Sequence, residues 1–131
     1  YRPKQYVAYE RLACAYRDKL DFENAIKAYE TIIEKFEFSA RIGQFIMPLY
    51  AWTKKWDKVK ETAESIIKLE PDGSRGADAN GHLGLVCLVN NDEKEAMEYF
   101  IKSSECMKKP DIKASSERMM LEANKFLSSL K

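Results

Sequence analysis

The sequence predicts an all-α fold made of consecutive antiparallel helix pairs, and three observations lead to that prediction. Apolar residues recur every three or four positions along almost the whole chain, which is the spacing of one helix face. The 131 residues include only 5 glycines and 4 prolines, too few for a fold rich in β-turns. Similar residues also reappear 34 positions apart, a spacing typical of stacked helical repeats.

The first four helices follow from their apolar stripes and from the residues that can cap them. Asp21 and Ser39 stand before the second and third stripes, where a short polar side chain accepts a hydrogen bond from a free backbone N–H. Pro48 lies inside the third stripe, and because it lacks an N–H and its ring crowds the preceding turn, we expect a kink there. A Pro-Asp-Gly turn at 71–73 ends the fourth stripe. The expected bounds are about 4–19, 22–36, 40–54 and 57–69.

The last three helices are separated by turn residues of the same kinds. Asn90, Asn91 and Asp92 end the fifth stripe, and Pro110 and Asp111 begin the last helix. The expected bounds are about 77–89, 93–108 and 111–130. Because the last helix carries charged residues on its outer side, we expect it to cap the end of the array. Its inward residues are Met119, Ala123, Phe126, Leu127 and Leu130.

The helix pairs repeat at nearly constant spacing. Tyr16 and Tyr50 are 34 residues apart, as are Ala25 and Val59, and Cys87 follows Tyr50 by 37 residues. Since the turns within the pairs are short, the paired helices must run antiparallel. We therefore expect one domain over 1–131, with repeats at about 6–39, 40–73 and 77–110 and a capping helix at about 111–130.

Each unit resembles a tetratricopeptide repeat. In that family a large aromatic residue, a Leu, a small residue and a Tyr mark the first helix, and Ala-x3-aromatic marks the second. The matching residues here are Tyr9-x2-Leu12-Ala13-x2-Tyr16 with Ala25-x3-Tyr29, Gly43-x2-Ile46-Met47-x2-Tyr50 with Val59-x3-Ala63, and Leu83-Gly84-x2-Cys87 with Ala96-x3-Phe100. Small residues such as Gly84 are expected where two helices touch closely. The resemblance implies a right-handed superhelical α-solenoid of about seven helices.

Composition and charge exclude several classes of protein. With 22 Lys and Arg against 21 Asp and Glu, the formal net charge is +1, so the chain lacks the cationic excess that nucleic-acid binding needs. No apolar run approaches the ~20 residues that span a bilayer, and no signal-like stretch opens the sequence. A content of 45% hydrophobic residues argues against a disordered chain.

Few residues could take part in chemistry. Cys14, Cys87 and Cys106 form no Cys-x-x-Cys pair, and with a single histidine they do not make an ordinary zinc site. Three unpaired thiols favour a reducing compartment, so we expect a cytoplasmic location. Asp78 and His82 are four residues apart on one helix, but no nucleophile stands at a suitable spacing. We therefore expect no enzymatic activity and no metal or other cofactor.

The resemblance implies a binding function instead. In tetratricopeptide arrays the first helix of each pair lines a concave groove that holds a peptide or a helix. Carried over position by position, this groove falls on Glu10, Cys14, Arg17, Arg41, Gln44, Trp52, Asp78, Leu85, Leu88 and Val89. One subclass grips the C-terminal carboxylate of chaperone tails with Lys, Asn and Arg. The corresponding positions here hold Glu10, Cys14, Phe45, Asp78 and His82. A carboxylate buried without cations is not stabilised, so a chaperone tail is not the expected partner.

The fifth helix leaves two interpretations open. It is apolar on every side, which indicates either complete burial or a partner on the additional face. Leu85, Leu88 and Val89 therefore either form a hydrophobic half-groove for an amphipathic helix or are covered by the third or the last helix. In the first case Trp52 would be an aromatic anchor at the groove.

Two other roles stay open. The first helix has no cap, so we expect Tyr6, Tyr9 or nearby residues to contact a preceding repeat or another copy of the chain. If the contact is with another copy, the chain would be a self-association module. It could also be an accessory domain of a larger enzyme or assembly factor.

Overall fold

The computed structural model describes residues 3–131, and within that range it contains seven α-helices and no β-strand. The all-α class predicted from the sequence is therefore confirmed. No helix in this range is long and apolar enough to cross a membrane. Positions 1 and 2 of the expected domain lie outside the described residues. The helices are α1 (Lys4–Asp18), α2 (Phe22–Phe36), α3 (Ala40–Trp52), α4 (Trp56–Leu69), α5 (Gly73–Val89), α6 (Glu93–Cys106) and α7 (Ile112–Ser129).

The helices pack in chain order, as pairs joined by short turns. α1 packs against α2, α3 against α4 and α5 against α6, while contacts of α2 with α3 and of α4 with α5 join the pairs. α7 packs against α6 and also reaches α5. A large apolar cluster runs through this stack, with Tyr29, Ile32, Ile46 and Ile66 among its fully buried members. Each pair therefore shares its apolar side with the pair beside it.

The turns within the three pairs have the same backbone conformation. Leu20, Lys54 and Asn91 have positive φ angles of 62°, 61° and 61°, in the left-handed region. The next residue closes each turn by donating its N–H to the carbonyl five residues back, which is the Schellman helix ending. These N···O distances are 2.9, 2.8 and 2.8 Å for Asp21–Tyr16, Lys55–Tyr50 and Asp92–Cys87. The turns are separated by 34 and 37 residues, so the backbone repeats with the same period as the side chains.

The connection between α6 and α7 uses this turn as well. Lys108 has a φ of 53°, and the Lys109 N–H donates to the Ser104 carbonyl oxygen at 3.1 Å. Because the turn takes up the last residues of the helix before it, α3 and α6 each end two residues earlier than the sequence predicts. α6 and α7 are therefore joined by the turn that elsewhere joins the two helices within a pair.

The predicted caps are confirmed. Asp21 and Ser39 each accept a hydrogen bond from the backbone N–H three residues on, at 3.3 and 3.2 Å. Asp111 caps α7 in the same way at 3.0 Å. Pro48 lies inside α3, and the helix continues past it to Trp52 without a break.

α5 begins at Gly73, four residues earlier than the sequence predicts. Gly and Ser are poor helix formers, which is why the segment at 72–76 reads as a loop. In the structure a Cβ at Gly76 would collide with the carbonyl of Pro71, so only glycine lets the first turn of α5 fold back against the end of α4. Arg75 supports this turn by donating to the Glu70 carboxylate at 3.2 Å. The tertiary contact therefore overrides the low helix propensity.

Gly43 in α3 and Gly84 in α5 each lie against an aromatic ring. A Cβ at Gly84 would stand 2.6 Å from Cε1 of Phe100 in α6, and one at Gly43 would stand 2.6 Å from Cζ of Phe38. The Phe100 side chain is 2% exposed and has no room to move. By contrast, a Cβ at Gly81, one turn before Gly84, has Ser103 Oγ as its nearest neighbour at 3.9 Å. The predicted close contact at Gly84 is therefore confirmed, and Gly81 has space for a methyl group.

Lys54→Gly should raise the free energy of unfolding by about 0.5–1 kcal/mol, because glycine adopts the left-handed conformation without the steric cost of a Cβ. The gain is partly offset by the larger entropy of glycine in the unfolded chain. Urea denaturation measures the change. Lys54→Ala is the matched control, since it removes the same side chain and keeps the Cβ. An equal effect of the two substitutions would contradict the strained-turn explanation.

Gly84→Ala and Gly81→Ala should change stability in opposite directions. The first forces a methyl group into the Phe100 ring and should lower the free energy of unfolding by about 1–3 kcal/mol. The second fills open space on the same helix and should raise it by up to about 1 kcal/mol. Thermal and urea unfolding of the two variants measure the difference. Stabilisation by Gly84→Ala would show that α5 and α6 do not touch at this point.

Candidate functional site

A bidentate ion pair joins the first helices of the first two units. The Arg41 guanidinium in α3 donates to both carboxylate oxygens of Glu10 in α1, with an Nη1···Oε2 distance of 2.8 Å. The hydrogen bonds to Glu10 raise the pKa of Arg41 above its ordinary value. The two predicted groove residues are therefore brought together, and their charges neutralise each other.

Phe45 lies at the centre of the surface between α1 and α3. The Cζ atoms of Arg17 and Arg41 stand 5.8 and 5.3 Å from the centroid of its ring, within the range of cation–π attraction. The ring also stacks on Tyr29, with centroids 6.1 Å apart and an interplanar angle of 13°. Sequence reasoning did not include Phe45 in the groove set, since the pairing of a ring with cations from two helices depends on how the helices pack.

Cys14 lies beside the same aromatic pair. Its Sγ is 3.6 Å from the Tyr29 hydroxyl oxygen, and the two groups form a hydrogen bond. Burial, followed by this bond, raises the pKa of Tyr29 above its ordinary value, so the phenol stays protonated at neutral pH. The contact ties this predicted groove residue to the packing of α1 on α2.

A second polar link joins α3 to α5. The Gln44 side-chain Nε2 donates to Asp78 Oδ2 at 2.5 Å, while its Oε1 accepts from Arg75 Nε at 3.3 Å. The amide of Gln44 is therefore engaged on both sides. Together with the Glu10–Arg41 pair, this link fixes the first helices of the three units relative to one another.

Trp52 is engaged by aromatic residues of this same chain. Its ring stacks on Phe22 at a centroid distance of 5.9 Å and meets Phe126 of α7 edge-on at 4.9 Å. The side chain remains 45% exposed. The predicted aromatic anchor thus forms a cluster that connects α2, α3 and α7, with one part of the ring open to solvent.

The α5 residues that one of the two sequence interpretations assigned to an open half-groove are largely buried. Leu85 and Leu88 are 7% and 8% exposed, and Leu88 packs against Ala96 and Phe100 in a cluster that includes side chains of α7. Val89 is half-buried and borders a separate depression on the side of Trp56. Of the two interpretations left open by the sequence, coverage by neighbouring helices is the one that the structure shows for Leu85 and Leu88, with α7 side chains packed beside Leu88.

A narrower groove of about 300 Å³ remains between α5 and α7. We call it the α5–α7 groove. Its apolar lining includes Leu85, Phe100, Met119, Ala123 and Phe126. Sequence reasoning placed the α7 residues in a capping role, and their apolar stripe is the signal that would have indicated a second wall.

Polar groups at the α5–α7 groove are acidic or neutral. Asp78 and Glu122 bring carboxylates to it from α5 and α7. His82 Nδ1 is 2.8 Å from the Asp78 backbone oxygen, and because a carbonyl only accepts, this nitrogen must carry the proton. Desolvation by the surrounding side chains lowers the pKa of His82 below its ordinary 6.5, so the imidazole is neutral at physiological pH.

No metal site is apparent in the part of the chain that the structure describes. Within residues 3–131, no three His, Cys, Asp or Glu side chains lie near enough together to hold an ion. The three cysteines are free and half-buried.

The imidazole of His82 should titrate below pH 6.5. Since this is the chain's single histidine, its Cε1 proton gives one unambiguous NMR signal to follow with pH. As pH falls through 6.5 the unfolded chain takes up the proton first, so the stability contribution present above that pH is lost. His82→Asn, which keeps a donor near the Nδ1 position, should lose less stability between about pH 7.5 and 5.5. A titration midpoint at or above the ordinary value would contradict the desolvation of this half-buried ring.

Comparison with known proteins gives no family assignment for this arrangement. A scan against known protein families and a search of curated proteins both find no match to this chain. The resemblance to tetratricopeptide repeats therefore stays a prediction, and function must be inferred from the contacts described above.

Proposed function

We propose that this chain is a protein-binding module of the tetratricopeptide-repeat type, and that its α5–α7 groove receives an apolar side chain of a peptide or helix. The observation that supports this most strongly is the groove itself. It has about 300 Å³ of space, a lining that includes Leu85, Met119 and Phe126, and carboxylates at its edge. Binding sites of this kind combine apolar walls with a few placed polar groups.

The charges at the groove indicate the chemistry of the partner. Asp78 and Glu122 supply negative charge, and the neutral His82 does not offset it. A bound segment that placed Lys or Arg next to its apolar side chain would therefore match the edge as well as the lining. Complementary charge of this kind contributes more to specificity and association rate than to affinity.

The repeated backbone turns support the repeat-type interpretation. Leu20, Lys54 and Asn91 occupy equivalent left-handed positions at spacings of 34 and 37 residues, which is how an array of similar helix pairs is built. The links Glu10–Arg41 and Gln44–Asp78 hold the first helices in fixed register.

We favour binding over catalysis because the imidazole and the hydroxyl at the groove are already hydrogen-bonded to backbone carbonyls. His82 donates its Nδ1 proton to a backbone carbonyl, and Ser103 Oγ donates to the Ala77 carbonyl oxygen at 2.8 Å. Both protons are thus held in structural bonds. The three free cysteines support a reducing compartment, and we propose a cytoplasmic location.

Selection from a phage-displayed random peptide library tests this function. We expect enrichment of peptides in which an apolar residue stands next to Lys or Arg. Glu122→Lys should weaken the best peptide by about tenfold or more, because it reverses a charge at the groove. Glu117→Lys is the matched control, since it makes the same change at an exposed position of α7 outside the groove, and it should alter binding by less than about twofold.

Two results would contradict the proposal. One is the absence of any enriched peptide with folded protein. The other is equal weakening by Glu122→Lys and Glu117→Lys, which would place binding elsewhere on the surface.

A further inference from the structure

One side of α1 faces outward, away from α2. The equivalent side of α3 and of α5, the first helices of the next two units, is buried. The spacing of 34 and 37 residues that relates the three turns also relates the residues of the first helices. We call Ala8, Leu12 and Ala15 the α1 outer face. Its equivalents are Ile42, Ile46 and Leu49 in α3, and Ala79, Leu83 and Val86 in α5.

Burial differs sharply between these equivalent positions. Ile42 and Ile46 are 0% exposed and Leu83 is 5% exposed, because α2 lies against α3 and α4 lies against α5. Leu12 is 44% exposed, and Ala8 and Ala15 are exposed as well. The α1 outer face is thus the place in the described array where the repeated stacking surface is open.

Tyr6 and Tyr9, which the sequence suggested for this contact, lie on other sides of α1. The Tyr6 ring meets Phe36 edge-on at a centroid distance of 5.5 Å. The Tyr9 ring has the Lys35 ammonium 6.0 Å from its centroid. Both tyrosines pack against the core of the chain, so the candidate contact surface shifts to the α1 outer face.

Basic residues surround the α1 outer face. Lys4, Arg11 and Lys19 are exposed and stand three or four residues from its alanines, so they lie on the same side of the helix. Asp18 also stands three residues from Ala15, but Arg17 Nε lies 3.9 Å from its carboxylate, so the charge beside this face is positive on balance. The equivalent positions in the second unit hold Phe38, Phe45 and Thr53. Positive charge is therefore a property of this unit and not of the repeat.

We propose that the α1 outer face docks an amphipathic helix whose apolar stripe is flanked by Asp or Glu. Such a helix would lie on α1 as α2 lies on α3, with its apolar side chains over Leu12 and its carboxylates facing Lys4 and Arg11. This continues the interface that already joins the units of the chain. The surface is separate from the α5–α7 groove and does not depend on it.

Charge argues against a second copy of the chain as the occupant. Two α1 outer faces brought together would oppose like charges from Lys4, Arg11 and Lys19. The outward side of α7, which exposes Leu121, carries Arg118 and Lys125 beside Glu117 and so offers no net negative charge. A partner helix with acidic flanks is the complementary occupant.

Fluorescence anisotropy with two labelled probe peptides of ~18 residues tests the proposal. One peptide carries Leu every three or four positions with Glu beside the stripe, and the other has Lys in place of each Glu. We expect the full chain to bind the acidic peptide and not the basic one, and binding to weaken at high salt. Leu12→Glu should reduce affinity by about tenfold or more.

Leu121→Glu is the matched control, because it changes a 58% exposed leucine of α7 in the same way. It should leave the acidic peptide bound within about twofold, and circular dichroism confirms that both variants stay helical. Failure of the acidic peptide to bind, equal binding of the basic peptide, or equal effects of Leu12→Glu and Leu121→Glu would overturn the proposal. A concentration-dependent dimer abolished by Leu12→Glu would also overturn it, since the occupant would then be a second copy.

Discussion

The rest of the structure depends on one constraint, which is that a single helix pair here cannot cover its own apolar side. The side chains of α3 and α5 are buried because the second helix of the preceding pair lies over them. Where the described residues supply no such helix, as at Leu12, the equivalent apolar side chain is open to solvent. Stability is therefore a sum of contacts between neighbours, and each helix owes its order to the helices beside it.

The two candidate surfaces follow from this constraint at opposite ends of the stack. At one end, α7 follows α6 through the left-handed turn that also joins the helices within each pair. It lies beside α5, which covers Leu88 and leaves the α5–α7 groove. At the other end, the α1 outer face has no covering helix among the described residues. The Glu10–Arg41 and Gln44–Asp78 links join the first helices of the units in between.

Local features of the fold could be predicted from the sequence, whereas features set by packing could not. Helices and the caps at Asp21, Ser39 and Asp111 follow from periodicity and from hydrogen bonding within a few residues. The start of α5 could not be predicted in this way, because a close approach of Gly76 to Pro71 overrides the low helix propensity of the segment. The ten groove residues were carried over by position in the chain and stay a prediction, because their contacts depend on angles between helices. For that reason the role of Phe45 emerged from the structure alone, and the sequence could not choose between an open and a covered Leu88.

Native-state hydrogen exchange resolved by residue tests the shared stacking most directly. Helices covered on both sides should open with a free energy close to that of global unfolding, and helices covered on one side should open earlier. We therefore expect amides in the middle of α3 and α5 to be the most protected and those of α1 and α7 to exchange first. If α1 and α7 are as protected as α3, or if α3 opens before them, the helices do not depend on their neighbours in this way.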